Sequence, residues 1–132
     1  MAGVSAIALA SPAQDYMLHC MGCHGATAQG VPGKVPALAL TLAQFMRTAA
    51  GRNYVLRVPG ASNSMLTDVQ LAEVLNWIAG HFSGDQMPVS AVAFTAQEVA
   101  AHRRTPLASV QATRREVVKE LAASGPAPAE NY

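Results

Sequence analysis

Residues 19–25 read His19-Cys20-Met21-Gly22-Cys23-His24-Gly25, and this stretch holds both cysteines of the chain. The two thiols are three positions apart, and an imidazole follows the second one directly. Side chains three positions apart lie on the same side of a helical turn. We therefore expect Cys20, Cys23 and His24 to form one cluster that holds a single large ligand.

The C-x-x-C-H arrangement is the attachment signature of c-type haem. Two thiols at this spacing reach the two vinyl groups at one porphyrin edge, and the adjacent imidazole lies under the ring plane. The motif therefore predicts one haem c, bound covalently through Cys20 and Cys23, with His24 as an iron ligand.

Three other interpretations of the cysteine pair are weaker. A thioredoxin-like redox pair needs a βαβ setting, and no alternating strand pattern is visible. A zinc site normally needs a second ligand pair, whereas His81 and His102 are isolated in the sequence. A structural disulfide would leave His24 without a role. Haem attachment is favoured over all three.

Composition limits the core and the class of partner. The 132 residues are 51% hydrophobic but include only three Phe, three Tyr and one Trp. Few large side chains are thus available for one domain-sized core, and a large apolar cofactor would fill the missing volume. The net charge of +1 argues against nucleic-acid binding. No apolar run is long enough to predict a membrane span.

The chain divides into four segments in our interpretation. Residues 1–13 contain a short apolar stretch that ends in small residues, so we interpret them as a signal-peptide remnant or a disordered N-terminus. Residues 14–94 form the cofactor domain and residues 95–123 a helical extension. Residues 124–132, rich in Pro and Ala, are expected to be disordered.

Apolar spacing predicts helices and no strands. Three core helices are expected at residues 14–23, 41–48 and 66–82, joined by long loops. Thr95-Ala-Gln-Glu98 is a capping-box pattern that begins a further helix, and helix resumes after Pro106. We expect an all-α fold with a C-terminal helical extension. The arginines of this extension, including Arg103 and Arg114, are interpreted as its solvent-exposed side.

Beyond the motif, residues 14–82 resemble the class I cytochrome c family. Tyr16 matches the aromatic position of that family's N-terminal helix, and residues 71–78 are similar to its C-terminal helix. The resemblance implies a cytochrome c-like fold in which Trp77 crosses Tyr16. It also extends, less specifically, to small cytochromes encoded beside periplasmic dehydrogenases and amine oxidases, including residues 51–60.

The loop after the motif carries a further part of the resemblance. Val35-Pro36-Ala37-Leu38 looks like the family's Pro-x-Leu loop. In that family the proline carbonyl holds the haem histidine, so the resemblance implies that Pro36 orients His24.

Electron-transfer cytochromes usually pair the histidine with a methionine sulfur. Met65 is our first choice for this sixth ligand, because it precedes the helix where the resemblance places the axial methionine. Its connection to that helix is shorter than is common in the family. Met87, which follows the helix, is the alternative, and Met46, in an apolar helical stretch, is a weaker one.

The resemblance also suggests groups that bind the haem propionates. Arg52, Tyr54 and Arg57 are candidates, because a cation or hydroxyl offsets a partly buried carboxylate. Trp77 is a further candidate through its indole N–H. Four cations of the first half of the chain are also candidates for a docking patch around the haem edge: Lys34, Arg47, Arg52 and Arg57.

No acid–base or nucleophilic constellation suggests an enzyme. We expect a monomeric periplasmic electron carrier that passes single electrons from a dehydrogenase or oxidase to the respiratory chain. Two alternatives stay open. One is a haem-bearing subunit or docking module of a larger oxidoreductase. The other is a ligand sensor or peroxidase-like protein with an open distal site.

Overall fold

The computed structural model describes residues 9–87 and 91–132. Residues 1–8, the larger part of the expected signal remnant, lie outside the described residues. No described helix is long and apolar enough to cross a membrane.

The described residues are helical, as predicted. They contain one 3-10 turn (Gly84–Gln86) and, instead of strands, a single isolated bridge between Val31 and Val35. The α-helices in chain order are α1 (Pro12–His19), α2 (Met21–His24), α3 (Thr41–Phe45), α4 (Ala49–Arg57), α5 (Pro59–Ser62), α6 (Asp68–His81), α7 (Ala96–His102) and α8 (Val110–Ala122).

The first predicted helix is divided in two. Ser11 caps α1 and forms a capping box with Gln14, with Pro12 at the first helical position. Cys20 then leaves the helical region, with φ −127° and ψ −41°, and caps the short α2. The first cysteine therefore lies at a break between two helices and the second lies inside α2.

Helix α6 matches its prediction except for the residues at its ends. Thr67 caps it and forms a capping box with Gln70. Its apolar face, including Leu71 and Ile78, is buried. Helix α1 packs on α6, where the rings of Tyr16 and Trp77 lie 5.6 Å apart between centroids. The crossing implied by the resemblance is thus present.

The sequence interpretation missed helix α4. The helix predicted for residues 41–48 ends at Phe45, and α4 begins after Thr48, whose hydroxyl accepts a hydrogen bond from the Gly51 N–H. A Cβ at Gly51 would lie 2.1 Å from the Phe45 carbonyl oxygen. Glycine is therefore required for the close approach of α3 and α4.

The C-terminal extension shares the core of the preceding residues. Helix α7 packs on α6 and α4, and α8 packs on α4. Val99 and Leu121 are fully buried in the common hydrophobic cluster. The predicted capping box of α7 is only half formed, because the Glu98 carboxylate accepts hydrogen bonds from Arg52 at 2.6 and 2.7 Å instead.

The structure differs from sequence expectation in the tail and in two arginines. Residues 124–132 were expected to be disordered, but Arg47 donates hydrogen bonds to the carbonyls of Leu121 and Pro126, and Ala127 packs on the core. Arg103 and Arg114 were expected on the exposed side, but only 6% and 4% of them is accessible. Backbone carbonyls from distant segments accept their hydrogen bonds.

Candidate haem-binding site

A cavity of about 490 Å³ lies between the helices. Apolar side chains form most of its wall, among them Leu42, Val55, Leu71 and Ile78. Protein interiors rarely contain voids larger than a water molecule, whereas cofactor sites commonly have this size and an apolar lining. The few large side chains of the sequence thus leave a cavity in the core that is large enough for a ligand.

The motif residues meet at this cavity. Cys20, Cys23 and His24 all line it. Both cysteines are free thiols, Cys20 half-buried and Cys23 exposed. The structure therefore places two sulfurs and an imidazole in one apolar hollow, which is the donor set that covalent haem attachment needs.

The His24 ring is oriented by a backbone carbonyl. Its Nδ1 lies 2.9 Å from the Pro36 oxygen, so Nδ1 carries the hydrogen and Nε2 is the nitrogen left for a metal. Burial lowers the pKa of His24 below its usual value, and the Pro36 carbonyl offsets this only in part. The imidazole is then neutral at pH 7, the state that ligates metals.

A folded loop carries Pro36 back to His24. The Tyr16 hydroxyl donates to the Gly25 carbonyl at 2.6 Å, just after α2. Gly30 has φ +67°, and a Cβ there would lie 2.3 Å from the Val35 carbonyl oxygen. Glycine therefore permits the close approach that closes the loop.

The Cys20 thiol is in an environment that suppresses ionisation. Burial, followed by the nearby Asp15 and Cys23, raises the pKa of Cys20 to about 11. Redox-active C-x-x-C pairs instead depend on a lowered thiol pKa. The described residues also contain no cluster of three or more groups suited to a metal ion such as zinc. The weaker interpretations of the cysteine pair thus find no support here.

The three candidate methionines do not line the cavity. Met46 is buried in the core, and Met87 packs half-buried against it. Met65 is 92% exposed, yet its neighbours Ser64 and Leu66 both line the cavity. Met65 is thus flanked in the chain by two cavity-lining residues, while its own side chain is exposed to solvent.

Of the four propionate candidates, the structure brings only Tyr54 to the cavity wall. Arg52 is paired with Glu98. Arg57 donates to the carbonyls of Thr105 and Pro106 at 2.7 and 2.9 Å. Both arginines are thus turned toward the C-terminal extension, because it supplies their acceptors.

The fourth candidate, Trp77, stacks on His81 with 4.4 Å between ring centroids. It also contacts Tyr16 and Phe82, and it is absent from the cavity lining. Its position fits a packing role at the crossing of α1 and α6.

The sequence interpretation missed the contribution of the extension to this site. Gln111, Arg114 and Tyr132 line the cavity. One signal was present in the sequence: Arg114 falls on the same helical face as the apolar Val117 and Leu121. A cation on the apolar face of a helix is a candidate for a buried role.

An apolar cavity bounded by a C-x-x-C-H motif in an all-α fold defines a haem c protein. No protein-family model matches the chain. A curated relative, a cytochrome c-552 of Thermus thermophilus, is 32% identical over 115 residues, which cover 74% of this chain and 77% of the relative. A second cytochrome c-552 of Thermus thermophilus is 32% identical over 98 residues, 61% of this chain and 75% of the relative.

The chain therefore belongs to the class I c-type cytochromes. Its cofactor is haem c, and it is a monohaem protein of electron transfer rather than an enzyme. The predicted fold class and cofactor are confirmed.

Proposed function

We propose that this cytochrome binds its haem through Cys20 and Cys23, ligates the iron with His24 and Met65, and transfers single electrons in the periplasm. The observation that carries this proposal is the convergence of both thiols and the hydrogen-bonded imidazole on one apolar cavity. When bound, the haem supplies the one-electron redox couple.

The protein's own residues orient the iron ligand, control access of water and set the reduction potential of the haem. The Pro36 carbonyl fixes the ring of His24 and keeps one nitrogen available. The apolar walls exclude water, which sets the reduction potential together with the axial ligands. Cys23 is exposed beside the cavity, so the cofactor edge attached there lies near solvent, where a partner protein can approach.

Met65 is the proposed sixth ligand because of its neighbours in the chain. It stands between Ser64 and Leu66, which both line the cavity, whereas Met46 is held in the core. An exposed, unbranched side chain can rotate without disturbing packing, so its sulfur can turn inward toward the iron.

For partners, we propose a periplasmic dehydrogenase or oxidase as donor and a respiratory-chain component as acceptor. The apolar segment before Ser11 and the small residues around it support export. The docking patch suggested by the sequence is smaller in the structure, because Glu98 neutralises Arg52 and the hydrogen bonds of Arg47 and Arg57 direct these side chains toward the extension. Lys34 is exposed and lines the cavity mouth, so we assign electrostatic steering mainly to it.

Replacing Lys34 by glutamine is expected to slow oxidation of the reduced protein by hexacyanoferrate(III), an anion, roughly two- to fivefold at low salt. The difference should vanish at high ionic strength, because salt screens exposed charges. Stopped-flow absorbance measures both rates. Lys119→Gln, an equally exposed change on α8, is the control. Equal rates for the two variants at low salt would contradict the assignment to Lys34.

The haem assignment is tested on protein produced in an export-competent host that matures c-type cytochromes. We expect a mass increase of one haem and a pyridine haemochrome spectrum typical of thioether linkage. The Cys20→Ser/Cys23→Ser double variant should lack covalent haem. A colourless wild-type protein, with both thiols open to alkylation, would overturn the proposal.

A further inference from the structure

Arg114 is a buried cation inside the cavity. It belongs to α8, only 4% of it is accessible, and it lines the same cavity as the cysteine motif. The ion pairs among the described residues involve Arg52, Arg103 and Arg104 but not Arg114. Buried charges are almost always paired, since removal from water is costly. An anionic partner is therefore missing from its surroundings.

The side chain of Arg114 is held in a defined position. Its Nε donates to the Ala129 carbonyl at 3.1 Å. The guanidinium carbon lies 5.4 Å from the Phe45 ring centroid and 5.1 Å from that of Tyr132, so it is placed between two aromatic faces. The Tyr54 hydroxyl is a further polar neighbour. A guanidinium has five N–H donors, and all these partners are neutral.

No aspartate or glutamate lines the cavity within the described part of the chain. The polar and titratable groups around it supply thiols, hydroxyls, imidazoles and cations. Those that can titrate, apart from Arg114, are His19, Cys20, Cys23, His24, Lys34, Tyr54 and Tyr132. No carboxylate of the described residues lies within ion-pair distance of Arg114, so the cavity leaves an acidic group of its ligand as the partner of this cation.

We infer that Arg114 binds a propionate carboxylate of the haem, so that the C-terminal helix completes the haem pocket. This inference rests on the proposed attachment of haem at Cys20 and Cys23. Arginine is suited to the contact because its planar guanidinium donates two parallel hydrogen bonds to a carboxylate. Tyr54, which lines the same wall, adds a hydroxyl donor.

The position of Arg114 agrees with the chemistry of the cofactor. Vinyl groups and propionates are at opposite edges of the porphyrin. Helix α1, which leads into the cysteine motif, packs on α2 and α6, whereas α8, which carries Arg114, packs on α4. The cysteines and the guanidinium thus reach the cavity from different parts of the fold, as the two edges of one haem require.

This contact has a redox consequence. Reduction lowers the positive charge at the iron, so a fixed cation nearby stabilises the reduced state and raises the midpoint potential. The same cation keeps the pKa of its carboxylate low, so that propionate stays ionised in both oxidation states. Without Arg114, the propionate pKa should rise and become linked to reduction.

The test compares Arg114→Gln with Arg115→Gln, which removes a charge from the adjacent, exposed position of α8. Midpoint potentials are measured by spectroelectrochemistry between about pH 5 and pH 9, a range just above ordinary carboxyl pKa values. We expect Arg114→Gln to have a lower potential than wild type, with a difference that changes with pH. Arg114→Lys should recover part of the shift, and Arg115→Gln should match wild type.

Equal, pH-independent offsets in Arg114→Gln and Arg115→Gln would overturn the inference while leaving haem attachment intact. Loss of covalent haem from the wild-type protein would instead overturn the proposed function. If Arg114→Gln does not fold, the wild-type infrared spectrum decides. As pH falls through the ordinary carboxyl range, the propionate held by Arg114 is expected to stay ionised, and protonation of both propionates in that range would contradict the contact.

Discussion

In the Met65→Ala variant, the oxidised protein is expected to lose the weak red absorption band of sulfur–iron ligation. The reduced protein should bind carbon monoxide readily, and the midpoint potential should fall markedly. The reason is that a thioether ligand favours reduced iron, so its removal opens the sixth position and lowers the potential. Because Met65 is 92% exposed, the substitution removes no core packing, and the lost bond to the iron is the expected cause of any change in the stability of the holoprotein.

Two control variants make this result specific to Met65. Met87→Ala removes a half-buried methionine beyond α6, and Met46→Leu keeps an apolar side chain of similar volume in the core. Both should keep the sulfur band. Loss of the band in Met87→Ala alone would transfer the axial role to Met87. Rapid carbon monoxide binding by the wild-type protein would favour a ligand sensor instead of a carrier.

The second large effect is expected for Arg103→Gln, with a loss of about 2–4 kcal/mol in the free energy of unfolding. Arg103 donates to the carbonyls of Leu66 and Ser64 at 2.8 and 2.9 Å and to the Asp68 carboxylate at 3.0 Å. Glutamine cannot make all of these bonds, so buried carbonyl oxygens would lose their donors. Denaturant unfolding of the holoprotein measures the loss.

The matched control is Arg104→Gln. Arg104 contacts the same Asp68 carboxylate at 3.5 Å but is 69% exposed, so its removal should change stability little. The Arg103 hydrogen bond is the main cause of the lowered pKa of Asp68. The stabilisation contributed by the Arg103–Asp68 pair is therefore full when the pH is above the ordinary carboxyl pKa. It is lost as the pH falls through the lowered pKa of Asp68 in the folded protein.

Arg103→Gln should consequently make the free energy of unfolding depend less steeply on pH in the acid range. Arg104→Gln should leave that pH dependence nearly unchanged. Equal stability losses in the two variants would contradict the anchoring role of Arg103. Arg103 also holds the backbone on both sides of Met65, because the carbonyls of Ser64 and Leu66 accept its hydrogen bonds. Arg103→Gln should therefore weaken the sulfur–iron absorption band although Met65 itself is unchanged.

The sequence predicted the parts of the site that depend on neighbouring residues. Cys20, Cys23 and His24 lie within five residues of one another, so their clustering was predicted from their spacing, although Cys20 lies at the break between α1 and α2 rather than inside one helix. Helix α6 has a regular apolar face and a capping residue at its start. The contact between Pro36 and His24 spans a longer loop, and it was foreseen only through the resemblance to a family.

The parts that the sequence did not predict depend on partners far along the chain. Arginine is a residue type usually found on the exposed side of a helix. Arg114 and Arg103 are buried here because the carbonyls of Ala129, Leu66 and Ser64 accept their hydrogen bonds. The same reason explains why Arg52 and Arg57, which were candidates for the haem propionates, donate instead to the C-terminal extension. Burial of a cation is decided by tertiary acceptors, which local patterns do not reveal.

The wall that α8 adds to the cavity has a consequence for biogenesis. A polypeptide exported with its N-terminus first presents the C-x-x-C-H motif long before Arg114 and Tyr132 reach the same compartment. On the proposed route, the maturation machinery would therefore meet a cavity that still lacks the wall formed by α8. The last helix would complete this wall after the thioether bonds have formed.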